Sequence, residues 1–192
     1  MGKGRLEAFS DGVVAIIITI MVLELHPPER PTLEALRPLA PVFAAYVLSF
    51  VNVGIYWNNH HHMLHVARSV TGAILWANMH LLFWLSLFPF ATAWIGESAV
   101  DTIPVAAYGG VLVMAAVAYT ILATLLVRHE GPDSTLAKAF GADVKGKVSL
   151  ALYATGIALS FVRPWLGIAC YVIVAVIWFI PDRRIERVLK ER

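Results

Sequence analysis

The sequence predicts an all-α membrane protein with six transmembrane helices. Composition is the first observation behind that expectation: the 192 residues are 59% hydrophobic and 15% charged, with a mean hydropathy of +0.72. Soluble globular chains do not have this balance. The second is that the apolar residues gather into six spans, at about 6–25, 38–59, 69–95, 103–127, 147–162 and 164–181, near the ~20 residues that cross a bilayer core. The third is that no span shows the alternation of a barrel strand, and lipid leaves no backbone group unpaired, so the spans are helices. They fill 1–192 as a single domain, with no room for a soluble one.

The first span, RLEAFSDGVVAIIITIMVLEL (5–25), lacks a small-residue cleavage site and runs into the polar HPPERP. It is therefore expected to be a retained helix and not a removable signal peptide. Residues 26–38 form a Pro-punctuated loop in which Thr32 is placed to cap a short helix. The second span ends in Trp57-Asn58-Asn59-His60-His61. The third carries Asn78 and His80 early and Pro89 late. A short acidic connection (96–104) leads to the fourth span, where small residues such as Ala106, Ala107, Gly109, Gly110, Ala115 and Ala116 permit close helix approach. The connection 130–147 is the longest polar stretch and is expected to be partly helical. The last two spans meet in a tight turn at Phe161-Val162-Arg163-Pro164. The basic tail DRRIERVLKER (182–192) is read as a stop-transfer anchor on anionic lipid. The single Cys170 excludes an intramolecular disulfide.

Orientation follows from Lys and Arg. Twelve of them fall at the N-terminus, in the 2–3 and 4–5 connections and in the tail. Only Arg30, Arg37 and Arg163 fall on the other side. Both termini are therefore expected in the cytoplasm.

Ser10 and Asp11 then sit about a third of the way into the membrane. Ionisable groups at that depth are costly, and a buried carboxylate needs partners. The returning second span brings Trp57, Asn58, Asn59, His60 and His61 to the same depth, and the third brings Asn78 and His80. These are the nearest donors, and the expected product is a hydrogen-bonded brace of the first helix. The histidines invite a metal reading, because His61 and His65 have ligand-competent i,i+4 spacing. However, no Glu completes an HExxH arrangement, and adjacent histidines point in different directions on a helix. No metal is expected.

On a helical wheel centred on Ile16, Thr19, Ile20 and Leu23 fall within ~60°, whereas Ser10 and Asp11 fall ~120° and ~140° away. Spacing alone leaves two readings for the Ile16–Thr19–Ile20–Leu23 stripe, packing against other helices or lining a pathway.

The phrase Arg5-x-x-x-Phe9-Ser10-Asp11, followed by an apolar run with one Thr19, resembles the first helix of the transmembrane protein 175 family. Trp57-x-Asn59-His60-His61, Asn78 and Pro89-Phe90-x-Thr92 are similar to that family's second and third helices. The family comprises potassium channels of animal endosomes and lysosomes and their prokaryotic relatives. The resemblance implies that the first helices surround a central pore, with Ile16 as the narrowest ring and Thr19 and Leu23 beside it. It also assigns Arg5, Phe9, Ser10, Asp11, Trp57, Asn59, His60, His61 and Asn78 to a structural polar network. With one six-helix unit in the chain, it implies a homotetramer in a prokaryotic plasma membrane. The expected function is a potassium-preferring cation channel, with potassium ions permeant, no cofactor, no nucleic acid and no enzyme chemistry. The TVGYG filter of ordinary potassium channels is absent, so selectivity would rest on a hydrophobic constriction. The alternative is a proton- or cation-coupled secondary transporter that uses Asp11 and the His cluster as a relay.

Overall fold

The computed structural model describes residues 2–140 and 143–179, and all secondary structure in them is helical. Helix α1 spans Lys3–Leu23. A 3-10 turn, Glu34–Leu39, precedes α2, Ala40–Val66. Next come α3 (Gly72–Leu85), α4 (Phe88–Glu97) and α5 (Thr102–Glu130). The short α6 (Thr135–Phe140) leads to α7 (Val144–Ser160) and α8 (Pro164–Phe179).

Among the described residues, four stretches are long and apolar enough to cross a bilayer: Lys3–Leu23, Glu34–Val66, Gly72–Glu97 and Thr102–Glu130. They match the first four spans of the sequence. The remaining two are shorter, with 17 residues in α7 and 16 in α8. The end of the sixth span and the basic tail lie outside the described residues.

Two elements differ from the sequence reading, and a third agrees with it. The third span is two helices, α3 and α4, with a turn at Ser86–Leu87. Pro89 is the cause: it has no N–H for the Leu85 carbonyl, and its ring crowds the preceding turn. Ser86 Oγ donates to the Phe83 carbonyl at 2.7 Å and so holds the bend. The second span continues through the His run to Val66. At the far end of that extension, Lys3 Nζ donates to the His65 carbonyl at 2.8 Å. In the first loop, Thr32 Oγ1 accepts the Ala35 N–H at 3.3 Å, and the short helix it opens is a 3-10 turn.

Helix α5 is the centre of the bundle. Leu112, Ala115, Ala118, Leu122 and Leu126 on it are fully buried, and it packs on α3, α4, α7 and α8. Helices α7 and α8 form a hairpin in which small residues set the spacing. A Cβ on Gly167 would lie 2.8 Å from the Gly156 carbonyl, and one on Gly156 would lie 2.5 Å from the Tyr171 ring. Helix α1 packs against α2, α3 and α4. It does not pack closely on α7 or α8. The α2–α3 connection is tied to the end of α5 by Glu130, whose carboxylate accepts the Arg68 N–H at 2.7 Å.

Candidate functional site

Helix α1 has two faces of different fate. Leu6, Ser10, Val14, Ile17 and Met21 are buried against the rest of the chain. Arg5, Phe9, Gly12, Ile16, Thr19 and Leu23 are all exposed. Their spacing alternates 4, 3, 4, 3, 4. These steps average one helical turn, so the six residues form a seam on one face of an ordinary α-helix. Ile16 is 58% exposed and Leu23 73%, whereas Ile17 next in the chain is 3% exposed. Ile20 flanks the seam and is exposed as well. Thr19 Oγ donates to the Ile16 carbonyl at 2.9 Å, which folds the hydroxyl proton back onto the helix and leaves the oxygen lone pairs outward.

This seam relocates two residues that sequence reasoning put in the polar network. Arg5 and Phe9 lie on the outward face, in line with Ile16, because each step of three or four residues is close to one helical turn. They do not turn inward with Ser10.

Behind the seam a buried chain of hydrogen bonds joins three helices. His60 Nε2 on α2 donates to Asn78 Oδ1 on α3 at 2.6 Å. Asn78 Nδ2 donates to Ser10 Oγ on α1 at 3.0 Å, and Ser10 Oγ donates to the Leu6 carbonyl at 2.8 Å. The chain has one direction, because each proton has one acceptor ahead of it. Asn78 is wholly buried, and among the described residues no buried side-chain N or O is left without a partner. Asp11 stands apart from this chain. It is half-buried, and Asp11 Oδ1 accepts the Trp57 Nε1–H at 2.9 Å.

The other candidates are not drawn into the brace. Asn59 donates to the Ile55 carbonyl in its own helix at 2.8 Å. His61 is exposed and stacks between Trp57 and His65, with ring centroids 5.9 and 6.0 Å away. Spacing on α2 explains both, since one helix can turn only part of a consecutive polar run toward its neighbour. His80 accepts from Trp84 within α3. No cluster of metal-competent side chains is present among the described residues.

A second polar cluster, deeper in the bundle, was not read from the sequence. Thr92 Oγ1 on α4 lies 2.6 Å from both Ser49 Oγ on α2 and the Phe88 carbonyl. Ser49 Oγ is 3.0 Å from Tyr108 OH on α5. The available signal was a Ser, a Thr and a Tyr inside apolar spans, where each hydroxyl must find a partner. Nothing in the linear pattern says which pair.

Residues 5–89 match the family model described as the endosomal/lysosomal potassium channel TMEM175. A potassium channel of Chryseobacterium sp. (strain P1-3) is 56% identical over 191 residues, covering 100% of both chains. A potassium channel of Chamaesiphon minutus is 30% identical, covering 88% of this chain and 90% of that one. A crystal structure of a TMEM175 homologue from Chamaesiphon minutus, described as a lysosomal potassium-selective channel homologue, superposes with a TM-score of 0.80. It is 28% identical and covers 93% of this chain and 96% of its own. With its apolar helices, the chain is a multi-pass membrane protein.

Proposed function

The chain belongs to the TMEM175 family, and from that premise we propose that it is a potassium-preferring cation channel whose narrowest point is a ring of Ile16 side chains. One observation carries the reading: α1, which lies within the residues that match the family, buries Ser10 and Ile17 in the protomer and leaves Ile16, Thr19, Ile20 and Leu23 exposed. A single helix encloses nothing. Four copies of that seam around an axis bury it and form a pathway lined by Ile16, Thr19, Ile20 and Leu23, so the assembly is a homotetramer.

Each subunit is one domain (1–192) that crosses the membrane six times, with α7 and α8 as the short fifth and sixth crossings. Both termini lie in the cytoplasm, and the membrane is a prokaryotic plasma membrane. No cofactor takes part. Branched alkyl side chains have no oxygens with which to replace an ion's hydration shell, so the ring selects by width and wetting. Potassium gives up water more readily than sodium and passes such a barrier more easily. Ser10, Asp11, Trp57, His60 and Asn78 brace α1 against α2 and α3 and so hold the ring's diameter. Arg5 and Phe9 continue the seam to the inner mouth.

The test is single-channel recording from purified protein in planar bilayers under mixed potassium and sodium. Unitary currents with a potassium-side reversal potential are expected. Ion movement without unitary currents would replace the channel with a carrier.

A further inference from the structure

A crevice of about 260 Å³ opens between α2, α5, α7 and α8, away from α1. Its walls are mostly apolar, with the rings of Tyr56, Tyr119 and Tyr153 among them, and several of the polar side chains are turned onto the protein. Asn52 donates to the Leu48 carbonyl and Asn59 to the Ile55 carbonyl. Thr120 donates to the Ala116 carbonyl, and Trp178 Nε1 donates to Ser149 Oγ, which donates to the Lys145 carbonyl. Those donor protons are already committed, so the walls suit hydrocarbon.

The rim has a different character. Thr120, Ile121, Lys147 and Leu150 line the crevice and are exposed, so it opens sideways, where the bilayer lies. Lys147 stands at that opening, and Lys145 Nζ lies 5.8 Å from the centroid of the Trp178 ring. Among the described residues the one carboxylate lining the crevice is Asp143, which accepts the Gly146 N–H at 3.1 Å and so caps α7. Lys145 and Lys147 together outweigh that single negative charge. Basic pockets between helices on the cytoplasmic side suit anionic headgroups. The volume lies just below the ~300–1,000 Å³ of ligand pockets, space for part of one acyl chain with the rest lying in the bilayer.

We propose that this crevice is a binding site for an anionic phospholipid of the inner leaflet, with part of one acyl chain between α5 and α7 and the headgroup at Lys147. The site rests on the cytoplasmic placement of the α5–α7 connection argued above. Because α7 and α8 pack on α5 and not closely on α1, the lipid sits away from the α1 pathway.

The experiment is native mass spectrometry of detergent-purified protein given phosphatidylglycerol and phosphatidylcholine at equal concentration. Wild-type protein is expected to retain phosphatidylglycerol preferentially. Lys147→Gln removes one cationic contact and should lower that retention about fivefold. Ala116→Phe fills the crevice and should abolish it. Arg128→Gln removes a charge from the same side outside the crevice and should change nothing. Equal retention of the two lipids by wild type, or equal losses in Lys147→Gln and Arg128→Gln, would overturn the proposal, and the Lys147 comparison stands even if Ala116→Phe fails to fold. Retention is read on the protein itself. Selective binding without unitary currents would defeat the channel reading alone, and currents without selective binding would defeat this one alone.

Discussion

Ile16 and Ile17 are neighbours of the same residue type with opposite surroundings. Ile16 faces out and Ile17 faces the protomer core, so the pair tests the helical phase of α1. Ile16→Asn should wet and widen the proposed ring, raise unitary conductance, and move the mixed-ion reversal potential toward equal passage of potassium and sodium. Ile17→Val should cost about 1 kcal/mol of stability and leave the reversal potential where it was. Selectivity retained in the first variant and lost in the second would mean the wrong face has been assigned. The polar brace permits a similar comparison. Asn78→Ala strands the His60 donor and takes a donor from Ser10, both buried, and should destabilise the protein by about 2–3 kcal/mol. Asp11→Ala frees only the half-exposed Trp57 Nε1–H, which other partners can satisfy, so its loss should be smaller. Thermal unfolding of the purified variants gives the order, and a larger loss for Asp11→Ala would place the main brace at Asp11 instead.

At the scale of the element, close approach between helices depends on glycine where a ring crosses. Tyr171 of α8 reaches over α5 to donate to the Val105 carbonyl at 3.2 Å, and its hydroxyl passes against Gly109. A Cβ at that position would collide with the Tyr171 hydroxyl and with Ile157. Gly109→Ala must therefore push α8 off α5, at a cost of about 1–3 kcal/mol, despite alanine's better helix propensity. Gly110 has open space at the same depth, so Gly110→Ala should be neutral or stabilising. Melting temperatures of the two variants should part in opposite directions; a parallel shift would show that α8 is not held by this contact.

For the whole molecule, the exposed α1 seam predicts the assembly. Native mass measurement in mild detergent should give four chains, and replacing Gly12 with Trp on the seam should shift the mass toward monomers, because a large ring there keeps four helices from converging. An unchanged tetramer would place its contacts on other helices. The α7–α8 hairpin, which does not pack closely on α1, is expected to contribute lipid contacts and not the axis.

Several features were legible without tertiary contacts. Span positions followed from hydropathy because the bilayer imposes one length on every crossing helix. The grouping of Ile16, Thr19, Ile20 and Leu23 on one face followed from a fixed ~100° per residue, but its outward direction and the bend at Pro89 did not. Pairing was not available. The sequence offered seven polar candidates at one depth, and only the packing of α1 against α2 and α3 selected His60 and Asn78 for Ser10 and gave Trp57 to Asp11. The Ser49–Thr92–Tyr108 cluster joins residues up to 59 apart in the chain. A hydroxyl in an apolar span announces that it needs a partner, but which hydroxyl meets it depends on helix rotation and crossing angle. Those are set by the whole bundle, not by local pattern.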